Sequence, residues 1–316
     1  MSELITPVVS IVMCAYNAAN YIDETIDSVL AQTFSDFELI IVNDGSTDHT
    51  AKIVKSYADP RIVLVEQENG GPSAARNMAI QYASGKYLAI LDSDDLWLPD
   101  YLKKMLGIFQ SDPKVDFAYP NAELFGTPYW NGKRFMDRDP SSLPITLDKL
   151  ISRECNVFIS SIFKREIIAE VGGFDPSLKG SEDLDLWFRI CQAGYQFTFT
   201  TEVLVKYRKR DGSLSSGSEN FYQNVKAAID KLKTTTPLTT RQQELADQYI
   251  KRVEAEDYDN RFHRKFAARN FQAAASDLRE VIARQPSVKR RLIAFCLKLS
   301  PEMLYKMVAA KDSLYK

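Results

Sequence analysis

Between residues 8 and 91, four short apolar runs alternate with three segments of helical spacing. The runs cover residues 8–14, 37–42, 62–65 and 87–91 and are rich in Val, Ile and Leu, as strands buried on both faces are. Residues 19–32, 47–57 and 72–82 place apolar side chains three and four apart, and Pro72 stands where a first helical turn accepts it. This alternation predicts an α/β fold with an open, mostly parallel sheet and helices on both faces. In such sheets ligands bind beyond the carboxyl ends of the strands. The segments there are Ala15-Tyr16-Asn17, Asn43-Asp44-Gly45-Ser46, Glu68-Asn69-Gly70-Gly71 and Asp92-Ser93-Asp94-Asp95, all small or polar.

Further on the pattern is mixed. Residues 115–119, 196–200 and 203–207 read as strands, and 184–191 as a helix. A Gly/Ser-rich break spans 211–219, and beyond Asn220 only helical signals remain, punctuated by Pro237, Pro286 and Pro301. A chain of 316 residues exceeds what one core usually holds, so two domains are expected, 1–215 and a helical region 216–316. Residues 271–284 resemble half of a helical-hairpin repeat, but repeat folds need several copies. A plain helical bundle packed on the first domain is the simpler expectation.

Charge and apolar pattern exclude several classes. The formal net charge is -2, which argues against a nucleic-acid partner. The N-terminus lacks the basic-then-apolar order of a signal peptide, and no run of 18 apolar residues occurs. Cys14, Cys155, Cys191 and Cys296 are far apart in apolar segments, as buried reduced thiols are. A cytoplasmic protein is expected. Residues 286–316 carry seven basic against two acidic residues, interleaved with Leu292, Ile293, Phe295, Leu297 and Leu299. Such a segment either packs on its own domain with a solvated basic face or makes a peripheral contact with the inner face of a membrane.

Four constellations carry chemistry. Three carboxylates in Asp92–Asp95 repel one another unless a cation sits among them, and Mg²⁺ or Mn²⁺ takes such oxygens together with phosphate. Alternatively they form an acidic turn ahead of a helix beginning near Pro99. Asp44 either caps the next helix or accepts from a nucleobase N–H. Gly70-Gly71-Pro72 opens a helix whose N-terminus suits a phosphate, with Arg76 one turn in. Glu182 and Asp183 begin a helix, as dipole-matched acids or as a general base with an orienting acid. Trp187 follows Asp183 by one turn, either as a face for a sugar ring or as a core residue. No nucleoside-triphosphatase phosphate loop and no Gly-x-Ser-x-Gly elbow is present.

In this order, the strings Val9–Asn17, Phe37–Asp48, Gly71–Asn77, Leu91–Asp95 and Glu182-Asp183 resemble glycosyltransferase family 2 over residues 7–215. The resemblance implies a GT-A fold, a nucleotide-diphospho-sugar donor (UDP being the commonest), a Mn²⁺ or Mg²⁺ ion, and inversion at the transferred sugar. It implies that Ala15, Tyr16, Asn17, Asp44, Gly45, Arg76, Asp92 and Ser93 surround the nucleotide-sugar. Asp92 and Asp94 would form the metal pair, with Asp183 as base assisted by Glu182. Gly173 and Phe174 would precede the acceptor loop, beside Trp187. Relatives often carry a His near a Ser-x-Ser; here Arg210 stands in its place before Ser213-Leu214-Ser215, so Arg208 and Arg210 would neutralise diphosphate instead. The acceptor would be a glycan or a lipid-linked saccharide. A nucleotidyltransferase would need a basic phosphate loop, and residues 8–20 hold no Lys or Arg. A non-catalytic nucleotide-sugar binder would have no need of both Asp94 and Asp183. A processive synthase would carry membrane spans and Gln-x-x-Arg-Trp, and neither occurs.

Overall fold

A computed structural model describes residues 6–210 and 219–314. The chain divides into two compact units, Met1–Ser216 and Gly217–Lys316. The first runs β1 (Val9–Ala15), α1 (Ile22–Leu30), β2 (Phe37–Asp44), α2 (Thr50–Lys55), β3 (Ile62–Gln67), α3 (Gly71–Tyr82), β4 (Tyr87–Ile90), β5 (Leu96–Trp97), α4 (Tyr101–Ser111) and β6 (Phe117–Phe125). It continues with α5 (Phe135–Arg138), α6 (Leu147–Ser152), β7 (Ile162–Lys164), α7 (Glu166–Val171), α8 (Glu182–Gln192) and β8 (Phe197–Arg208).

The strands form one sheet in the order β3-β2-β1-β4-β7-β6-β8-β5. β3, β2, β1 and β4 are parallel, and their register pairs Ala15 with Asn43 and Asp44 with Gln67. Their carboxyl ends therefore lie side by side. β7 runs antiparallel to both β4 and β6, β6 and β8 are parallel, and β5 pairs antiparallel with β8. The residues expected as two strands, 196–200 and 203–207, form the single strand β8, with register shifts opposite Tyr119 and Asn121. That strand brings Arg208 to the end of β4.

Two helices begin later than their periodicity predicts, for one local reason. Asn17, at φ 49°, accepts from the Thr47 backbone N–H at 2.9 Å, and the Ser46 hydroxyl accepts from the Asn17 N–H at 3.0 Å. Asp48 accepts from the Ala19 N–H at 3.1 Å. These bonds tie the β1 and β2 loops together and hold residues 17–19 and 46–48 out of helical geometry.

The core of this unit is aromatic around β6. Phe117 stacks on Phe163 and Phe197, and Trp187 meets Phe117 edge-on at 4.6 Å. Trp187 is 2% exposed. Its ring is core, and the acceptor-stacking role is corrected: α8 points Trp187 into the sheet because Leu186, Phe188 and Ile190 are buried along the same helix. The four cysteines are free thiols, but only Cys155 is fully buried; the others are half-buried, less enclosed than their apolar context predicts.

The second unit holds α9 (Glu219–Thr235), α10 (Thr240–Ala267), α11 (Phe271–Arg284), α12 (Val288–Leu299) and α13 (Pro301–Leu314). Thr239 and Gln242 form a capping box at the start of α10, and Asn270 caps α11. Phe262, Phe266, Ala274, Leu278 and Leu297 form one cluster of its core. Asp277, buried at the α10–α11 contact, pairs with Lys265 at 2.6 Å and Arg261 at 3.4 Å. Among the described residues, no helix is long and apolar enough to cross a membrane.

Trp187→Ala should lower the stability of the first unit by ~3–5 kcal/mol, read from the urea midpoint. An unchanged midpoint with a raised acceptor KM would instead place the ring against the acceptor.

Candidate active site

The site lies at the joined ends of β1, β2 and β4, where parallel pairing delivers Ala15, Asp44 and the Asp92–Asp95 turn. At the end of β1 Ala15 is buried, Tyr16 is 53% exposed, and Asn17, also exposed, has its side chain committed to the neighbouring loop. Asp44 is 3% exposed. Its carboxylate accepts from the Gln67 side chain at 2.7 Å and from the backbone N–H groups of Gly70 and Gly71 at 2.8 and 2.9 Å. Asp44 thus holds the loop that opens α3. A carboxylate offers about four acceptor sites, so one remains for an additional donor. Gly45 is needed beside it: φ is 69°, and a Cβ there would meet the Asn69 nitrogen at 2.7 Å.

Arg76 joins three elements. Its guanidinium donates to Asp92 at 2.7 Å and, from the other terminal nitrogen, to Glu182, while lying over the Phe174 ring at 5.3 Å. Arg76 is 5% exposed, so the expected reach to ribose or diphosphate is corrected: the side chain is enclosed, and both terminal nitrogens serve protein carboxylates. Burial works against its charge, yet Asp92 and Glu182 hold it firmly protonated. Glu182 is likewise enclosed and bound to Arg76, which makes it a positioning residue rather than a direct partner of substrate.

Asp183 is half-buried and accepts from the Leu184 backbone N–H at 2.8 Å. Burial and then the charge of Glu182 raise it from 3.8 to about 6. Ser181, at φ 57°, sets the start of α8 that presents this pair. The Cys14 thiol, at the end of β1, is pushed up to about 11, chiefly by burial.

Gly173 and Phe174 support the site from behind. Phe174 is enclosed under Arg76, and its backbone exchanges two hydrogen bonds with the Asn77 side chain, at 2.7 and 2.8 Å. A Cβ on Gly173 would meet Asn77 Oδ1 at 2.3 Å, and the Gly173 carbonyl accepts from Arg189 at 2.7 Å. Their expected acceptor contact is corrected, since these groups are occupied in bracing α3 and α8.

The acidic turn is held by arginines. Asp94 accepts from Arg210 at 2.8 Å; burial and then Asp92 raise its pKa, while Arg210 lowers it. Arg208 donates through its backbone N–H to Asp95 at 2.8 Å, through its side chain to the Asp94 carbonyl at 2.8 Å, and to Glu24 at 2.6 Å. Both arginines also lie over the Tyr21 ring. Arg208 is therefore a brace, whereas Arg210 is largely open. The Ser93 carbonyl accepts from Thr25 at 3.1 Å, fixing the turn to α1. Ser213 and Ser215 lie outside the described residues.

Asp95 is the member of the acidic run whose burial the sequence does not signal. It is wholly buried, one of its carboxylate oxygens has no partner, and burial with Asp94 and Asp92 pushes it well above the usual carboxylate range. Asp94 and Asp95, both raised by burial and by their acidic neighbours, have the electrostatics a divalent cation relieves. Among the described residues no group of three or more His, Cys, Asp or Glu is arranged to hold a metal ion by itself. Asp94 and Asp92 fit a hard cation that takes its remaining oxygens from phosphate and water. Asn77, Tyr21 and Glu24 were overlooked. Asn77 follows Arg76 directly in the motif, the one signal available; Tyr21 and Glu24 gave none.

Comparison with known proteins gives one answer. The model of glycosyl transferase family 2 matches residues 10–172. An uncharacterised glycosyltransferase of Rickettsia typhi is 35% identical over 230 residues, covering 70% of this chain and 70% of its own length. The UDP-Glc:alpha-D-GlcNAc-diphosphoundecaprenol beta-1,3-glucosyltransferase WfgD of Escherichia coli is 31% identical over 227 residues, covering 71% of this chain and 85% of its own. Among solved structures, the mannosyltransferase PcManGT from Pyrobaculum calidifontis, in complex with GDP-Man and Mn²⁺, superposes with a TM-score of 0.63 at 21% identity, over 97% of this chain and 84% of that one. The α/β sheet described above is thus the GT-A fold, and the chain belongs to glycosyltransferase family 2.

Proposed function

We propose that this glycosyltransferase moves a single sugar from a nucleotide-diphospho-sugar, a UDP-sugar, to a hydroxyl of a glycan or lipid-linked acceptor, with inversion at the anomeric carbon. The observation that carries this reading is the Arg76 bridge. It sets Glu182, and with it Asp183, beside the Asp92–Asp95 turn, so a raised-pKa base adjoins the end of the sheet where a diphosphate would sit. The donor and acceptor classes are supported by WfgD, whose name joins UDP-Glc with a diphosphoundecaprenol-linked sugar.

Asp183 accepts the proton of the acceptor hydroxyl as its oxygen forms the new bond to the anomeric carbon. The bond from that carbon to the diphosphate breaks, and its electron pair leaves with the nucleoside diphosphate. A carboxylate near pKa 6 is a stronger base than a free one and is still ionised at neutral pH. Asp94 and Asp92 would hold a Mn²⁺ or Mg²⁺, which would supply positive charge against the departing diphosphate. Arg210, open and one hydrogen bond from Asp94, adds a fixed cation at the same place. Tyr16 offers its ring to the nucleobase, and the remaining acceptor site of Asp44 serves a base N–H.

Asp183→Asn should lower kcat by ~10²–10⁴ while leaving donor affinity unchanged; a near-normal rate removes Asp183 from the mechanism. In the wild type, kcat/KM should fall about tenfold per unit as pH drops below about 6, where Asp183 gains its proton. The same shift has a stability consequence. Because its pKa is raised on folding, the stabilising contribution of Asp183 is present below 3.8 and lost as pH rises through about 6. Asp183→Asn should therefore raise Tm at pH 7.5 and leave it unchanged near pH 3.5. A lowered Tm at pH 7.5 would contradict the burial argument.

Thermal-shift titration with UDP, dTDP and GDP, with and without Mn²⁺, tests the donor. A metal-dependent shift largest for UDP, and abolished in Asp94→Ala, is expected. A shift largest for GDP would replace the base assignment, and one retained in Asp94→Ala would place the cation elsewhere.

A further inference from the structure

The helix α12 has two apolar faces. Leu297 is buried, and Ile293 and Ala294 pack with it against Phe262, Phe266 and Leu278. On the opposite side Val288, Leu292, Phe295 and Leu299 recur at helical spacing, and Met303 and Met307 add a second pair, one turn apart, on α13. All six are at least 59% exposed. Lys289 borders the α12 stripe on one edge, Arg291 and Lys298 border it on the other, and all three are exposed, as is Lys306 on α13. Glu302, on α13, is paired with Arg269 at 2.9 Å. A contiguous apolar stripe of this kind in water calls for a cover. Its cationic borders select a cover of negative charge, and its Leu, Phe and Met side chains with long basic neighbours match an interface of acyl chains and phosphates. The 12 residues of α12 span ~18 Å, which suits a helix lying in the plane of a bilayer.

We propose that the outer face of α12 and α13 docks on an anionic phospholipid bilayer. Leu292, Phe295 and Leu299 enter the acyl boundary, and Lys289, Arg291 and Lys298 meet headgroup phosphates. This surface uses no residue of the α/β unit, so it stands or falls apart from the donor and acceptor assignments.

The test is sedimentation of the full chain with vesicles of phosphatidylcholine alone or mixed with phosphatidylglycerol. Leu292→Ser with Phe295→Ser forms one variant, and Lys289→Gln with Arg291→Gln and Lys298→Gln the other. All five positions are exposed, and an unchanged Tm with an unchanged nucleotide-induced thermal shift verifies the fold of each. The wild type should pellet with anionic vesicles and not with neutral ones. Partition should fall ~100-fold in the charge variant and at least ~10-fold in the apolar one. The proposal is overturned if the wild type stays in the supernatant, or if either variant keeps wild-type partition. It is also overturned if the chain is a dimer that the apolar variant converts to monomer without vesicle binding, since a second copy would then be the cover.

Discussion

The arrangement of the candidate site depends on one enclosed guanidinium. Arg76 grows from α3, Asp92 follows β4, and Glu182 opens α8, so a single side chain ties together three parts of the chain far apart in sequence. Leaving any of these charges unpaired in a buried place costs several kcal/mol, which gives the arrangement its definition. The guanidinium is itself set by Phe174 beneath it, and Phe174 is held by Asn77 from the same helix that carries Arg76. A second set of contacts does the equivalent work for the acidic turn: Arg208 reaches Asp94, Asp95 and Glu24 at once.

This division of labour reassigns several motif residues. Arg76, Glu182, Phe174 and Trp187 shape the site from enclosed positions, whereas Tyr16, Asp94, Arg210 and Asp183 retain exposed or half-exposed groups. Motif strings mark both kinds alike. A residue that must hold a neighbour in register is as constrained as one that must hold a ligand, so a string cannot tell them apart. Burial separates them, and burial is a property of the whole fold.

The parallel half of the sheet was legible because each of β1 to β4 is a short, uniformly apolar run ended by polar residues. Of the later strands, β6 and β8 were legible as strands but β5 and β7 were not, and the pairing of all four was hidden because it joins distant segments that no local pattern encodes; β8 also continues across a junction that reads as a turn. The α12 helix shows a subtler limit. Its sequence announced a basic amphipathic segment, but interleaved Leu, Ile and Phe gave no sign that Leu297 faces inward and Leu292, Phe295 and Leu299 outward. Only the packing of α10 and α11 against one side of α12 separates those faces.

The claim that Arg76 acts as a bridge, holding Glu182 and thereby the base, is tested most directly by a double-mutant cycle on kcat/KM with Arg76→Gln, Glu182→Gln and the pair. The bridge predicts strong non-additivity, with the double variant no slower than Arg76→Gln alone, because either change already breaks the same link. Losses that simply multiply would contradict it and make the two residues independent contributors.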